Sequence, residues 1–186
     1  RKSQPGEEGE TGIFEIELKV LADVGLVGLP NAGKSTLLSK VSSARPKIAN
    51  YPFTTLEPKL GIVKYEEYSS FVMADIPGLV EGASKGKGLG HQFLRHIERN
   101  KLLIFLIDST DPNPEKTYQI LKNEIYSYNA DLRIKPIIIC QTKNDLEYQE
   151  SAGWMRIEED IIKISSLSGV GIKKLIKKIS SIIFND

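Results

Sequence analysis

The stretch Gly28-Leu29-Pro30-Asn31-Ala32-Gly33-Lys34-Ser35 follows the pattern G-x-x-x-x-G-K-[ST], between an apolar run and an apolar-periodic one. Two glycines let the backbone fold tightly enough for successive amides to converge on phosphate oxygens, and a following helix adds its positive end. Gly28, Pro30, Asn31, Ala32, Gly33, Lys34, Ser35 and Thr36 are therefore the expected phosphate-binding set. Lys34 would reach the β- and γ-phosphates, and the Ser35 hydroxyl would ligate Mg2+. Downstream, Asp75-Ile76-Pro77-Gly78 follows a strand pattern, which puts an acid at the carboxyl edge of a sheet beside Mg2+ and a Gly78 amide within reach of a γ-phosphate oxygen. Between the two motifs lies Tyr51-Pro52-Phe53-Thr54-Thr55, where one threonine could ligate the same metal. Thr55 is favoured because it closes the loop nearest the next strand, with Thr54 second; taken alone, both read better as loop threonines.

A phosphate loop does not select a base, but Thr142-Lys143-Asn144-Asp145 does. A carboxylate at Asp145 can accept from guanine N1-H and the N2 amino group together, a donor pair that adenine lacks. An ATP-using kinase or ATPase is disfavoured on that ground. Lys143 would lay its aliphatic stem along the base, and Ser165-Ser166-Leu167 sits where backbone amides can meet guanine O6.

These residues need strands and helices to carry them. Residues 22–27 read as a buried strand, 35–41 as the first helix, and 60–65 and 70–74 as a hairpin. The continuously apolar run 102–107 suits a central strand covered on both faces, with further strands at 136–140 and 161–164. Helices are expected at 92–99, 114–128 and 172–183. Residues 14–20 alternate as an edge strand or linker, while 45–58 shows no clean period. Strands alternating with helices predict an α/β fold, a mostly parallel sheet with helices on both faces, and the loop at residues 28–35 makes the expected class a three-layer α/β/α P-loop NTPase.

Composition narrows the class further. The 186 residues, 40% hydrophobic and 26% charged, suffice for one domain with a sizeable core. Lys plus Arg is 25 against 24 for Asp plus Glu, so a net charge of +1 gives no global footprint for nucleic acid or membrane. The single cysteine, Cys140, excludes an internal disulfide and a cysteine metal cage, and no long apolar span is present, which fits a reducing, cytoplasmic setting. Cys140 itself reads as a buried strand residue, His91 and His96 as helix surface or packing, and Lys173, Lys174, Lys177 and Lys178 as a solvated face with RNA contact the minor alternative.

Taken in order, these motifs resemble the five motifs of a Ras-like, translation-factor-related GTPase. The narrower resemblance is to the G domain of Obg-family GTPases, carried by residues 18–28, by Tyr51-Pro52-Phe53-Thr54-Thr55-Leu56-Glu57-Pro58, and above all by Asp75-Ile76-Pro77-Gly78-Leu79-Val80-Glu81-Gly82-Ala83 continuing through residues 88–99. That resemblance implies a cytosolic GTP/GDP switch acting in late assembly of the large ribosomal subunit and in stress control, with ppGpp a further candidate ligand and a monomer the expected state. It also implies residues 1–12 as the tail of a glycine-rich N-terminal domain and 13–186 as the G domain. Lys34, Thr55, Gly78 and Asn31 would carry catalysis, with Ser35, Thr55 and, through a water, Asp75 holding Mg2+. Where Ras-like proteins place a water-orienting glutamine this chain has Leu79, so slow hydrolysis is expected, and a module that binds nucleotide without appreciable hydrolysis is the alternative. Related GTPases with asparagine at the Asn31 position use K+, which makes Asn31 a candidate K+ ligand or, equally, an ordinary turn residue. Thr142 stands where the family usually has asparagine, losing an amide that could reach guanine N7 and tie the loop together; guanine specificity is expected to be retained and affinity weakened by about 1 kcal/mol. From Asp145 to Ser165 the chain is also short for the family, so the helix usually found there is expected to be reduced to a turn around 147–155, with Trp154 packing over the gap.

Overall fold

Valine and leucine side chains on both faces of a short run cannot find water on either side, and β1 (Val24–Val27) is accordingly buried throughout. In the computed structural model the described residues are 22–48, 58–75, 100–128, 130–147 and 149–184, with Gly6, Gly9 and Gly12. They form a seven-stranded sheet in the order β2-β3-β4-β1-β5-β6-β7. Its members are β2 (Lys47–Ile48), β3 (Lys59–Lys64), β4 (Ser70–Asp75), β5 (Leu102–Asp108), β6 (Ile137–Thr142) and β7 (Ile161–Lys163). The β3-β4 hairpin is antiparallel, registered from Lys59 opposite Asp75 to Lys64 opposite Ser70, and β2 pairs antiparallel on its outer edge. The other pairings are parallel, as strands alternating with helices require.

Two apolar layers close the sheet. Helices α1 (Lys34–Val41) and α3 (Ile172–Phe184) bury Leu37, Leu38, Leu175, Ile179 and Ile183 against Val24, Leu26, Ile104 and Leu106. On the opposite face α2 (Pro114–Tyr128) packs Tyr118, Leu121 and Ile125 on Phe105, Ile107 and Ile139. Burying each such side chain contributes about 1.5–3 kcal/mol. A right-handed crossover fixes the face on which each helix lands. The chain leaving β1 turns toward the β3-β4 side, whereas the chain leaving β5 turns toward β6, so the two outgoing helices lie on opposite faces. The carboxyl end of β1 is thereby a topological switch point, where open α/β sheets hold ligands.

Differences from expectation are small and local. Strand β2 lies inside the segment without periodicity, because two residues are too few to show one. A 3₁₀ turn at Ala130–Ile134 precedes β6, and a second, Ala152–Arg156, stands in the shortened stretch before β7. The Ser151 side chain starts this second turn by accepting from the Gly153 amide at 3.2 Å, and Trp154, 5% exposed, joins the α2-side core. The expected strand at 14–20 and helix at 92–99 lie outside the described residues.

Candidate functional site

Every described candidate residue except those on α1 and its loop lies at or just past the carboxyl end of a strand. The loop after β1 leaves the sheet through Gly28, where an added Cβ would stand 2.6 Å from the Leu106 carbonyl oxygen of β5, so the backbones could not keep this approach. It enters α1 through Gly33, whose φ of 94° is left-handed and favours glycine. Helix α1 carries no acid in its first turn, leaving its positive end for an anion. Asn31, Gly33, Lys34, Ser35 and Thr36, with Lys143, line a cavity of about 370 Å3 at this end.

Lys34 folds back over the loop, donating to the carbonyls of Gly28 at 2.7 Å and Leu29 at 3.0 Å. Burial pulls its pKa below the ordinary lysine value, and the Asp75 charge acts in the opposite direction. The Ser35 hydroxyl donates to Asp75 Oδ2. Asp75 is 6% exposed, and its Oδ1 is buried without a hydrogen-bond partner among the described residues. A hydroxyl and a carboxylate with one unsatisfied oxygen form an oxygen donor set that fits Mg2+, directly through Ser35 and through water at Asp75.

The motif expected to bind the base is held by cross-links between strand ends. Asp145 accepts from the Ser165 hydroxyl, joining the loops after β6 and β7. The Asn144 side chain donates to the carbonyls of Gln141 at 2.6 Å and Ile164 at 3.4 Å, reinforcing the same junction. Thr142 corrects the expectation of a lost tie. Its buried hydroxyl donates to the Ala32 carbonyl at 2.9 Å and lies 3.3 Å from that of Ile107, so the shorter side chain still reaches the phosphate loop. The Ser165 amide is occupied by the Val170 carbonyl at 3.0 Å, which leaves Ser166 and Leu167 as the amide donors of that loop.

Lys143 adopts a left-handed φ of 57°, a conformation costing about 1–2 kcal/mol for a residue with a Cβ. Its ammonium pairs with Asp108 Oδ2 at 2.5 Å, and its carbonyl accepts from Ser109 Oγ at 3.1 Å. Burial pushes the Asp108 pKa up, but hydrogen bonds from Lys143 and from the backbone and side chain of Thr110, with the Lys143 charge, hold it below the usual carboxylate value. Asp108, Ser109 and Asn144 were not among the sequence candidates; the available signal was an aspartate directly after a continuous apolar strand. Asn31, also left-handed with a φ of 62°, is exposed at the rim of the loop. Thr54, Thr55, Gly78 and Leu79 lie outside the described residues.

A glycine-framed phosphate loop at the switch point, an acid beside its serine and an aspartate suited to guanine define the P-loop GTPase class. The family described as 50S ribosome-binding GTPase matches residues 23–143. The chain is 55% identical over 179 residues to GTPase Obg of Phocaeicola vulgatus, covering 94% of this chain and 45% of that protein. Against GTPase Obg of Parabacteroides distasonis it is 56% identical over 179 residues, covering 94% and 46%. The chain spans about half the length of the curated relatives it matches. Among solved structures it resembles an Aquifex aeolicus Era variant bound to GDP.AlF4-, with TM-score 0.61 and 26% identity over 89% of this chain and 57% of that one. It also resembles the G domain of the T. maritima FeoB iron transporter, with TM-score 0.62 over 86% and 96% of the two chains; at 23% identity this shows the fold alone. The chain belongs to the 50S ribosome-binding GTPase family and, within it, to the Obg-type GTPases.

Proposed function

We propose that this domain binds GTP and GDP with Mg2+ and hydrolyses GTP slowly to GDP and phosphate, as a switch in large ribosomal subunit assembly and stress control. The observation that carries the nucleotide reading is the meeting, at one sheet edge, of Lys34 and the Ser35-Asp75 pair with Asp145. Loop amides and Lys34 would neutralise charge developing between the β- and γ-phosphates, and Asp145 would select guanine. Mg2+, when bound at Ser35 and Thr55 and through water at Asp75, supplies further neutralisation of that charge. Assembly on the ribosome is carried by family membership alone.

Leu79 supports the slow rate, since an apolar side chain cannot orient the attacking water. The same residue supports the alternative, a nucleotide-gated binding module without appreciable turnover. Asn31, at the loop rim, is the K+ ligand in our reading. A Mg2+-dependent titration with fluorescent GDP, competed by GTP, ATP and ppGpp, tests base choice and alarmone binding together; tighter binding of ATP than GTP would overturn the assignment. Single-turnover hydrolysis should be faster in K+ than in Na+, and equal rates would remove Asn31 from the mechanism. Phosphate release no faster than background, even with K+ and ribosomal subunits, would leave the binding module as the function.

A further inference from the structure

The turn between β5 and α2 contains none of the nucleotide motifs, yet it grips Lys143 from two sides. Ser109 donates through its amide to the Thr142 carbonyl at 3.0 Å and through its hydroxyl to the Lys143 carbonyl at 3.1 Å, fixing the backbone. Asp108 takes the other end of the residue, with Oδ2 at 2.5 Å from the ammonium. Its second oxygen is not idle: Oδ1 accepts from the Thr110 amide at 3.0 Å and the Thr110 hydroxyl at 2.9 Å, which stops the carboxylate rotating. Register contributes as well, because Asp108 lies opposite Thr142, one residue from the lysine it binds.

The position of the pair relative to the cavities gives the contact its meaning. Lys143 borders the space over the phosphate loop beside Asn31 and Lys34. Asp108 borders a separate space of about 360 Å3, which Leu29 and Pro30 of that loop also line. The lysine stem is therefore anchored at both ends, by its strained backbone and by its paired ammonium. A free lysine side chain has several rotatable bonds whose freedom is lost when a ligand packs on it, and an anchor imposed in advance lowers that cost.

We propose that Asp108 is a positioning residue for nucleotide binding: without touching the nucleotide, it holds the Lys143 stem as a fixed platform for the purine. This rests on the reading that the Lys143 stem lies along the base. The effect of Asp108 must then pass entirely through Lys143, and a double-mutant cycle tests that. Asp108→Asn keeps the size of the side chain and an oxygen for Thr110 but removes the charge; Asp108→Ser is a second version should the first fold poorly. Lys143→Met keeps an unbranched apolar stem without the ammonium.

Dissociation of fluorescent GDP from the Mg2+ complex should be about fivefold faster for either Asp108 variant, the scale of one partly exposed ion pair. In the Lys143→Met background the Asp108 substitutions should change the rate no further. Because the platform packs against any purine, GDP and inosine diphosphate should lose affinity by the same factor. Unchanged GDP release in the Asp108 variants, or an equal effect with and without the lysine, overturns the proposal. Failure of the unsubstituted protein to bind GDP would instead remove the guanine reading on which it rests.

Discussion

The proposed phosphate end and the proposed base end of this site are built by different means. At the phosphate end the decisive features are backbone ones: a glycine that lets β1 pass β5, a left-handed glycine at the mouth of α1, and the helix terminus itself. At the base end the grip depends on side-chain cross-links, with Ser165 on Asp145, Asn144 on two carbonyls, Asp108 on Lys143 and Thr142 on the phosphate loop. Backbone geometry follows from topology and is indifferent to the base, since every nucleotide carries the same phosphates. Base selectivity depends on atoms that only particular side chains provide, and those must be locked to discriminate.

That contrast can be broken most forcefully at Asp145. Asp145→Asn removes an acceptor for one of guanine's two donors and should weaken GTP roughly a thousandfold while improving xanthosine triphosphate, whose 2-oxo group can accept from the new amide. Competition against fluorescent GDP reads both, and an unchanged order of the two bases would contradict the assignment. Lys34→Ala acts at the other end. It should weaken GTP roughly a hundredfold, and inosine triphosphate by the same factor, because only phosphate contacts are lost; a base-dependent loss would show that the ends are not separable in this way.

The smallest of these effects tests the bridge between the ends. Thr142→Val leaves the Ala32 carbonyl without its hydroxyl donor and should lower stability by about 1–2 kcal/mol, with roughly tenfold weaker GTP binding, whereas Thr142→Ser should stay near the parent. Urea unfolding and the same titration measure the two quantities. Loss of stability with unaltered GTP binding would make Thr142 a packing residue only.

The two ends also differed in how legible they were in the sequence. Gly28, Gly33, Lys34 and Ser35 could be recognised because their spacing is set by a local loop, and the strands were visible because burial on two faces leaves unbroken apolar runs such as residues 102–107. The cross-links were not visible. Asp108 and Lys143 are far apart in the chain and meet only through strand register, and Asp108-Ser109-Thr110-Asp111 reads as an ordinary polar turn. Thr142 reads as a deficit because the usual motif has an amide there; its hydroxyl reaches Ala32 because β6 runs on from Ile139, level with Val27 at the end of β1, to Thr142 beside the phosphate loop. Strand β2 escaped for a different reason, since its pairing partner, not its own composition, makes it a strand.

Cys140, fully buried in β6 with its thiol pushed well above the ordinary cysteine range by that burial, gives the molecule a built-in clock. A thiol reagent cannot reach it unless the middle of the sheet opens, so its labelling rate reports the opening of the core. Because Cys140 is the sequence's one cysteine and is buried, no surface thiol competes, and a cysteine introduced at Ser166 would take a fluorophore at a single place beside the proposed base loop.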